Sequence, residues 1–373
     1  MSKKTLADIP LNRVHQTQQK AILRMHLYVT GETHRRLSET ADKMKVAVVG
    51  AAKADGTLDG LGLQRAQRAL TREWNAWFAQ WKPWFEDLRT QAASIPFGTL
   101  AVYQQKMLKP ALKKADKIQE AKSTIDFVFN PQLEAIRAAA DKRIYKDGLK
   151  LSQRVWNLNT DALRGIEQTL DTGVANGMSA WDIAAELEQY LGAGQDCPRW
   201  TRTRLQSLTK TDIAGGDTTG LKSGDACAGQ GVAYKALRLA RTEIQAIHAQ
   251  AASNVMQAMP WVEKEQVNLS PAHPEEDVCD DVIAEGDGGE GIYDKGTIEL
   301  PLHPNCLCFL TAVMMDETAF VDGLRGWVNG TDAWPEMDAF EKLVGGDVNV
   351  DLTTSQIAQH LPQWAFEDPY SWD

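Results

Sequence analysis

The spacing of apolar residues predicts a chain that is helical over most of its first 260 residues. Apolar side chains recur at intervals of three and four, the period of an amphipathic helix, rather than at the interval of two that marks a strand. A break is expected at 94–98, where Pro96 and Gly98 stand close together, and a kink or break at Pro83. The predicted helices cover about 13–54, 61–92, 99–122, 131–146, 149–156, 161–177 and 180–191.

Two local signals indicate how some of these helices begin and pack. Ser179-Ala-Trp-Asp182 is a capping box, which satisfies the first free amides of the helix behind it. That helix carries Leu187 and Leu191 on one face and is expected to stop at 192–194. Aromatic residues of the second helix share a stripe that we expect to pack into a core or against a neighbouring subunit. They are Trp74, Trp77, Phe78, Trp81, Trp84 and Phe85.

The period changes after the most regular helix, which is predicted over about 233–258. Its apolar stripe runs from Leu237 to Val255, and Arg238, Arg241, Gln245 and His248 lie toward its other side. A polar, glycine-rich stretch at 193–232 precedes it and is expected to be a loop or an insertion. Strands are predicted around 262–269, 297–302 and 307–313. The predicted fold class is α+β: a mostly helical N-terminal region, then a mixed module with a long helix and a small antiparallel sheet.

Charge is distributed very unevenly along the 373 residues. Residues 1–150 hold 26 basic and 15 acidic residues, a net of +11, and residues 151–260 hold 10 and 11. Residues 261–373 hold 4 basic and 24 acidic residues, a net of −20. Such asymmetry favours a modular protein whose ends face different partners, and it is equally typical of a solvated helical face with an acidic end. A basic, helix-rich first part could contact nucleic acid or an acidic protein surface.

The composition argues against membrane and secreted classes. No stretch approaches the ~20 apolar residues of a membrane-spanning helix. The charged start is not followed by an apolar run, so no secretory signal is predicted and the chain is expected to stay in the cytoplasm where it is made. Five cysteines are too few for the disulfide framework of a small secreted domain. Three of them, Cys279, Cys306 and Cys308, lie within 30 residues of one another, and this group carries the candidate chemistry.

Three motifs follow one another in the second half of the chain. Ala240-Arg-Thr-Glu243 lies in the long helix, Asp277-Val-Cys279 follows the first predicted strand, and His303-Pro-Asn-Cys-Leu-Cys308 follows a glycine-rich turn. This order resembles the phage head morphogenesis family, the minor head proteins similar to the F protein of phage Mu. The resemblance covers roughly 150–313. The residues that carry it are Arg241, Thr242, Glu243, Asp277, Cys279, His303, Pro304, Cys306 and Cys308.

The resemblance implies a structural, non-enzymatic protein of the virion head. Members of the family join the procapsid in low copy number, associate with the portal and act in head assembly or in DNA packaging or ejection. The expected partners are therefore the portal protein and the major capsid or scaffolding protein, with packaged DNA contacted through 1–150. The expected locations are the host cytoplasm during assembly and then the virion head. The expected division of the chain is a basic helical region (1–150), the head morphogenesis module (151–313) and an acidic C-terminal region (314–373).

The cysteine and histidine residues leave three interpretations open. Cys279, His303, Cys306 and Cys308 offer three thiols and one imidazole, the donor set of a closed structural zinc site. Residues two apart on a strand point to opposite faces, so Cys306 and Cys308 could share an ion only at a turn, which Pro304-Asn305 could supply. A disulfide and a set of small buried residues are the alternatives. Many relatives carry Cys-x-x-Cys where Asp280-Asp281-Val282 follows Cys279 here, so four cysteines are not available at these positions.

The residues also suggest two rival functions. His273, Asp277, Asp280 and His303 could form a metal-dependent hydrolytic site, although a surface turn after Ser270 explains the first three more simply. The basic N-terminal helices could instead form a DNA-binding module, whose affinity would fall steeply with salt. The glycine-rich run at 286–291 lacks the Gly-Lys-Ser/Thr ending of a phosphate loop. Arg241 and Glu243 have no accompanying nucleophile, so buried ion pairing with the strand module is expected of them rather than catalysis.

Overall fold

The computed structural model describes residues 11–103, 135–143 except 137, 148–192, and 231–343 except 271, 272, 274 and 275. The helices are α1 (Leu11–Ala51), α2 (Gly60–Tyr103), α3 (Leu151–Ala175), α4 (Ala180–Leu191), α5 (Gly231–Ala258), α6 (Val278–Glu285), α7 (Glu317–Asn329) and α8 (Pro335–Leu343). The strands are β1 (Val262–Asn268), β2 (Ile292–Asp294) and β3 (Phe309–Met314). Residues 135–136 and 138–142 are also helical. None of the helices within these ranges combines the length and the apolar character needed to cross a membrane.

The predicted α+β class is confirmed: the chain is mostly helical and carries one small antiparallel sheet. β1 is the central strand of the order β2-β1-β3. Its pairing with β2 places Lys264 opposite Asp294, and its pairing with β3 places Asn268 opposite Phe309. Because β1 has a neighbour on each side, both edges of the longest strand are paired.

The chain falls into two compact units that are not contiguous in sequence. One comprises 1–25, 89–140 and 244–373, and the other comprises 26–88 and 141–243. The predicted regions 1–150, 151–313 and 314–373 are each contiguous in sequence. That division stays a prediction.

The unit formed by 26–88 and 141–243 is built on the aromatic stripe of α2. Trp74, Trp77, Trp81 and Phe85 are buried, with ring centroids of successive members 4.7, 5.6 and 5.0 Å apart. The indole N–H of Trp74 donates to Asn159 Oδ1 of α3 at 2.8 Å. Rings this large bury much apolar area each, and four of the six aromatic residues in the predicted stripe lie in the core.

A close helix–helix contact joins α3 and α4 in the same unit. A Cβ placed on Gly173 would lie 2.5 Å from Ile183 Cγ1, so the absence of a side chain lets α4 approach. The predicted capping box is present, since Asp182 N–H donates to Ser179 Oγ at 3.3 Å. The serine hydroxyl in turn donates to the Asp182 carboxylate. α4 ends at Leu191 as expected, before Gly192 with φ 73°.

The break predicted at 94–98 is wrong, and at Pro83, where a kink or break was predicted, the helix is not broken. α2 continues through Pro83 and through 94–98 to Tyr103, because Ala92, Ala93 and Ile95 are buried and packing outweighs the local penalty of proline. The helices predicted at 149–156 and 161–177 are the single helix α3, whose buried face includes Leu158 and Ala162 across the expected gap. The stretches predicted as helix at 104–122 and as loop at 193–230 lie outside the described residues.

One predicted strand is also wrong. Residues 297–302 have no strand partner, and the short strand lies earlier, at Ile292–Asp294. Pro301 has no N–H to give to a ladder, and both sides of β1 are already taken by β2 and β3. The strands predicted around 262–269 and 307–313 are confirmed as β1 and β3.

Residues 317–343 pack on the sheet module rather than forming a tail. Trp261 is fully buried, and the rings of Phe320 and Phe340 meet it edge-on at 5.9 and 5.2 Å. Edge-to-face contacts at such distances are favourable beyond the area that they bury. The predicted acidic C-terminal region thus contains the two short helices α7 and α8, and residues 344–373 lie outside the described part.

A buried carboxylate braces the sheet from within. Glu265 at the centre of β1 accepts hydrogen bonds from Ser253 Oγ of α5 at 2.9 Å and from Gly296 N–H at 3.1 Å. Burial raises the pKa of Glu265, and the two hydrogen bonds and Lys295 oppose that rise. A buried polar group is tolerated when it is paired in this way.

Candidate metal centre

Three thiols meet where α6 begins and where the chain turns into β3. Cys279 Sγ lies 3.7 Å from Cys306 Sγ, and both thiols also interact with Cys308. All three cysteines are buried and none is in a disulfide. Cys279 is 27 residues before Cys306 in the chain, so tertiary folding rather than local sequence assembles the cluster.

A capping box fixes the position of Cys279. Asp277 is the N-cap of α6, and its carboxylate accepts the N–H of Cys279 at 2.7 Å. The Asp280 carboxylate reaches back to accept the N–H of Asp277 at 2.8 Å. The turn expected after Ser270 is supported by the hydrogen bond from the His273 N–H to the Ser270 carbonyl oxygen at 2.8 Å, whereas Asp277 to Asp280 is the start of a helix. The spacing of Asp277 and Asp280, three positions apart, is the pattern of a capping box and could have predicted this helix start from the sequence.

The turn before β3 brings Cys306 and Cys308 to one place. Cys306 N–H donates to His303 carbonyl oxygen at 3.2 Å, and Asn305 adopts a left-handed φ of 62°, which asparagine tolerates better than most residues. β3 begins only at Phe309. Strand alternation therefore does not separate the two thiols, and Pro304-Asn305 supplies the turn on which the predicted shared site depended.

His303 is oriented as a ligand would be. Its Nδ1 lies 2.9 Å from the Pro304 carbonyl oxygen, which can only accept, so Nδ1 carries the proton. In the neutral ring this leaves the lone pair on Nε2, which is buried with Asp277 Oδ2 3.1 Å away, and the ring also interacts with the Cys306 thiol. Metal-binding histidines are commonly held by such a carbonyl contact through the other nitrogen.

His273 has an analogous arrangement with a carboxylate. Its Nε2 donates to Asp280 Oδ2 at 2.8 Å, and Asp277 Oδ1 lies 3.9 Å from the same nitrogen. The four residues of the predicted hydrolytic set are thus brought together. Both aspartates are already engaged as caps of α6, and that engagement accounts for their placement. The hydrolytic function stays a prediction.

The donor atoms form overlapping groups that could hold a metal ion. One group is Cys279, His303 and Cys306, and a second is His273, Cys279 and Cys308. Within each group the ligand atoms lie within 4.8 Å of one another. Tetrahedral zinc with Zn–S bonds of ~2.3 Å places two sulfurs about 3.8 Å apart, whereas a disulfide needs about 2.05 Å. The observed 3.7 Å between Cys279 and Cys306 fits the metal.

The cluster is electrostatically coupled. Hydrogen bonding to Cys279, followed by that to Cys308, lowers the pKa of the Cys306 thiol, and the same contact with Cys306 raises the pKa of Cys279. The interaction with Cys306 raises the pKa of His303 to about 8. A thiolate at Cys306 is thereby favoured, and thiolates are the form in which cysteine binds metals.

The Arg241 motif is buried, as the expected buried pairing of Arg241 and Glu243 requires. Arg241, Gln245 and His248 are all at most 7% exposed, whereas Arg238 is exposed as expected. The Arg241 guanidinium donates to Thr30 Oγ1 of α1 at 3.2 and 2.8 Å. The expected ion pairing with the strand module stays a prediction. Thr242 Oγ1 donates to the carbonyl of Arg238, and the Glu243 side chain is buried.

Gln245 links α5 to the cysteine turn and was not singled out as a site residue from the sequence. Its side-chain amide donates to the carbonyl oxygen of Cys308 at 2.7 Å. The sequence places Gln245 on the polar side of the predicted helix. A glutamine in that position is ordinarily solvated, so nothing in the sequence indicated its contact with Cys308.

Comparison of the chain with protein-family models, with curated proteins and with solved structures found no match.

Proposed function

We propose that the chain is a structural minor head protein of a tailed bacteriophage, associated with the portal and acting in head assembly or in DNA packaging or ejection. The observation that carries the proposal is the Gln245–Cys308 hydrogen bond. The helix that bears Ala-Arg-Thr-Glu is tied through it to the His-Pro-Asn-Cys-Leu-Cys turn. The helix that continues from the first motif is therefore bonded to the last motif of the series that resembles the family.

A zinc ion is the metal that best suits the donor set. The Cys279, Cys306 and Cys308 thiolates would hold it, with the imidazole of His303 as the fourth ligand. Soft thiolates with one imidazole favour zinc, and four protein donors leave no open position for substrate. When bound, the ion would supply folding free energy, because the unfolded chain offers no preformed site. Its role would be to fasten α6 to the turn before β3.

The fixed geometry around the cluster supports a structural rather than a catalytic role. Asp277 and Asp280 are held by backbone amides of α6, and Arg241 is held by Thr30. Groups committed to such contacts are poorly suited to exchange protons with a substrate. The basic 1–150 region, with a net charge of +11, would face the portal, the inner capsid or packaged DNA.

Co-assembly tests the proposal. The full chain is co-expressed with the portal, scaffolding and major capsid proteins of the same phage, and procapsids are isolated by sedimentation. We expect the chain to cosediment with them in low copy number and to require the portal for incorporation. Cys306→Ser should reduce incorporation, whereas Cys227→Ser, which removes a thiol outside the three motifs, should not. Procapsids that assemble with portal and contain none of the chain would overturn the proposal.

A further inference from the structure

The cluster contains five soft donors, one more than a tetrahedral ion uses. Cys279 belongs to both of the donor groups that contain thiols: His303 and Cys306 complete one, and His273 and Cys308 complete the other. A third group joins His273 to Asp277 and Asp280. Structural zinc is almost always four-coordinate. Three thiolates therefore leave one position for two imidazoles.

We propose that His273 is an alternative imidazole ligand for the same ion, so that the metal can exchange His303 for His273 while it keeps its three thiolates. This inference rests on the proposed zinc site. It assigns a metal role to a residue that the sequence suggested only for a hydrolytic set.

Asp280 prepares His273 for this role. Because a carboxylate accepts the Nε2 proton at 2.8 Å, Nδ1 is left with a lone pair. A carboxylate behind a histidine ligand fixes the tautomer and raises the basicity of the ligand. Asp280 is itself immobilised by the Asp277 N–H, and the His273 side chain is only 12% exposed. The imidazole is therefore held beside the thiols and does not reach them from solvent.

Asp277 provides a resting partner for the unbound imidazole. Its Oδ2 lies 3.1 Å from His303 Nε2, and its Oδ1 lies 3.9 Å from His273 Nε2. When His303 leaves the ion, this carboxylate is close enough to its Nε2 to stabilise the ring. A buried imidazole would otherwise lose a partner on release, so Asp277 lowers the cost of releasing His303. The ring of His273 keeps its hydrogen bond to Asp280 whether or not it binds the ion.

Single and double histidine variants test the exchange. Full-length protein is stripped of metal and reloaded with zinc, and its affinity is measured by competition with a chromogenic chelator. His303→Ala and His273→Ala should each retain one zinc per chain, because the remaining imidazole completes the site. The double variant should lose stoichiometric binding. Loading with cobalt gives a second measurement: both single variants should keep the absorption of a three-sulfur, one-nitrogen tetrahedral site.

Asp280 supplies a test that a purely structural residue would not pass. In the His303→Ala background, Asp280→Asn should lower zinc affinity about 10–100-fold, the usual effect of losing the partner of a histidine ligand. In the His273→Ala background the same change should lower affinity much less, because only the capping hydrogen bond from the Asp277 N–H is then affected, and the asparagine side-chain oxygen can still accept it. Asp281→Asn removes an equal charge from the same helical turn and is the matched control in both backgrounds.

The outcomes separate this inference from the zinc site itself. If wild-type protein binds one zinc and His303→Ala loses it, His273 is not an alternative ligand, and the zinc brace stands. If His273→Ala alone abolishes binding, the exchange is also refuted, because His303 cannot then complete the site. If wild-type protein binds neither zinc nor cobalt, both proposals fail.

Discussion

The side-chain amide of Gln245 in α5 donates a buried hydrogen bond to the backbone carbonyl oxygen of Cys308, 63 residues later in the chain. The bond ends on the last residue of the cysteine turn, immediately before β3 begins. It therefore joins the longest described helix of the second half of the chain to the segment that carries two of the three clustered thiols.

Gln245→Ala should destabilise the protein by about 1–3 kcal/mol, because a buried carbonyl loses its donor. Urea unfolding at neutral pH measures the change. Gln250→Ala is the matched control: Gln250 lies on the same helix and its described partner is Asn254 one turn away, so the loss should be smaller. Equal losses of unfolding free energy in the two variants would show that the hydrogen bond to Cys308 contributes no more stability than the contact of Gln250 with Asn254.

Metal removal should lower the thermal midpoint of unfolding. Purified full-length chain is expected to carry about one equivalent of zinc, since a closed set of thiolates and imidazole binds it tightly. Treatment with a chelator should shift the calorimetric transition downward, and Cys306→Ser should abolish the shift. Cys227→Ser should respond to the chelator as wild type does. Protein with less than about a tenth of an equivalent of zinc would contradict the expectation.

His248 should make the protein sensitive to acid. Burial lowers the pKa of His248 to about 3, from an ordinary value of 6.5, and its described partner is the Gln18 side chain at 3.2 Å. Since the folded pKa is depressed, the associated stability is present above pH 6.5 and is lost as the pH falls from 6.5 toward 3.

The comparison of wild type with His248→Gln isolates this effect, because glutamine does not titrate. The difference between their unfolding free energies should shrink by at most about 1.4 kcal/mol per pH unit within that window and stay constant above it. Contributions common to both proteins, including metal release, cancel in the difference. A difference that is independent of pH from 6.5 to 3 would show that the burial of His248 does not depress its pKa.

Gly173→Ala should destabilise the α3–α4 pair even though alanine favours helices. The added Cβ would lie 2.5 Å from Ile183 Cγ1, and overpacking of this kind costs about 1–3 kcal/mol, more than the gain of up to about 1 kcal/mol in helix propensity.

Gly50→Ala is the control for that change. Gly50 lies in α1, and a methyl group added to it would have nothing within 4 Å, so this substitution should stabilise the protein by about 0.5–1 kcal/mol. Thermal unfolding of both variants should therefore give shifts of opposite sign. Shifts of the same sign would contradict the close approach of α4 to α3.

The sequence by itself determined the elements whose signals are local and periodic. The aromatic stripe of α2, the capping box at Ser179 and the strands β1 and β3 follow from spacing, because each needs only neighbours within one or two turns. The prediction that the cysteines share a turn also rested on local chemistry, namely the Pro304-Asn305 pair. The phage role proposed from the motif order stays a prediction.

Only the tertiary structure decided the features that depend on residues distant in sequence. Burial of Ala92, Ala93 and Ile95 carries α2 through a proline that local rules treat as a break. The burial of Gln245 and the approach of Cys279 to Cys306 likewise arise from packing between segments far apart in the chain. Periodicity reports which face of a helix is apolar. It cannot report that a second element covers the polar face, since that depends on where the rest of the chain folds.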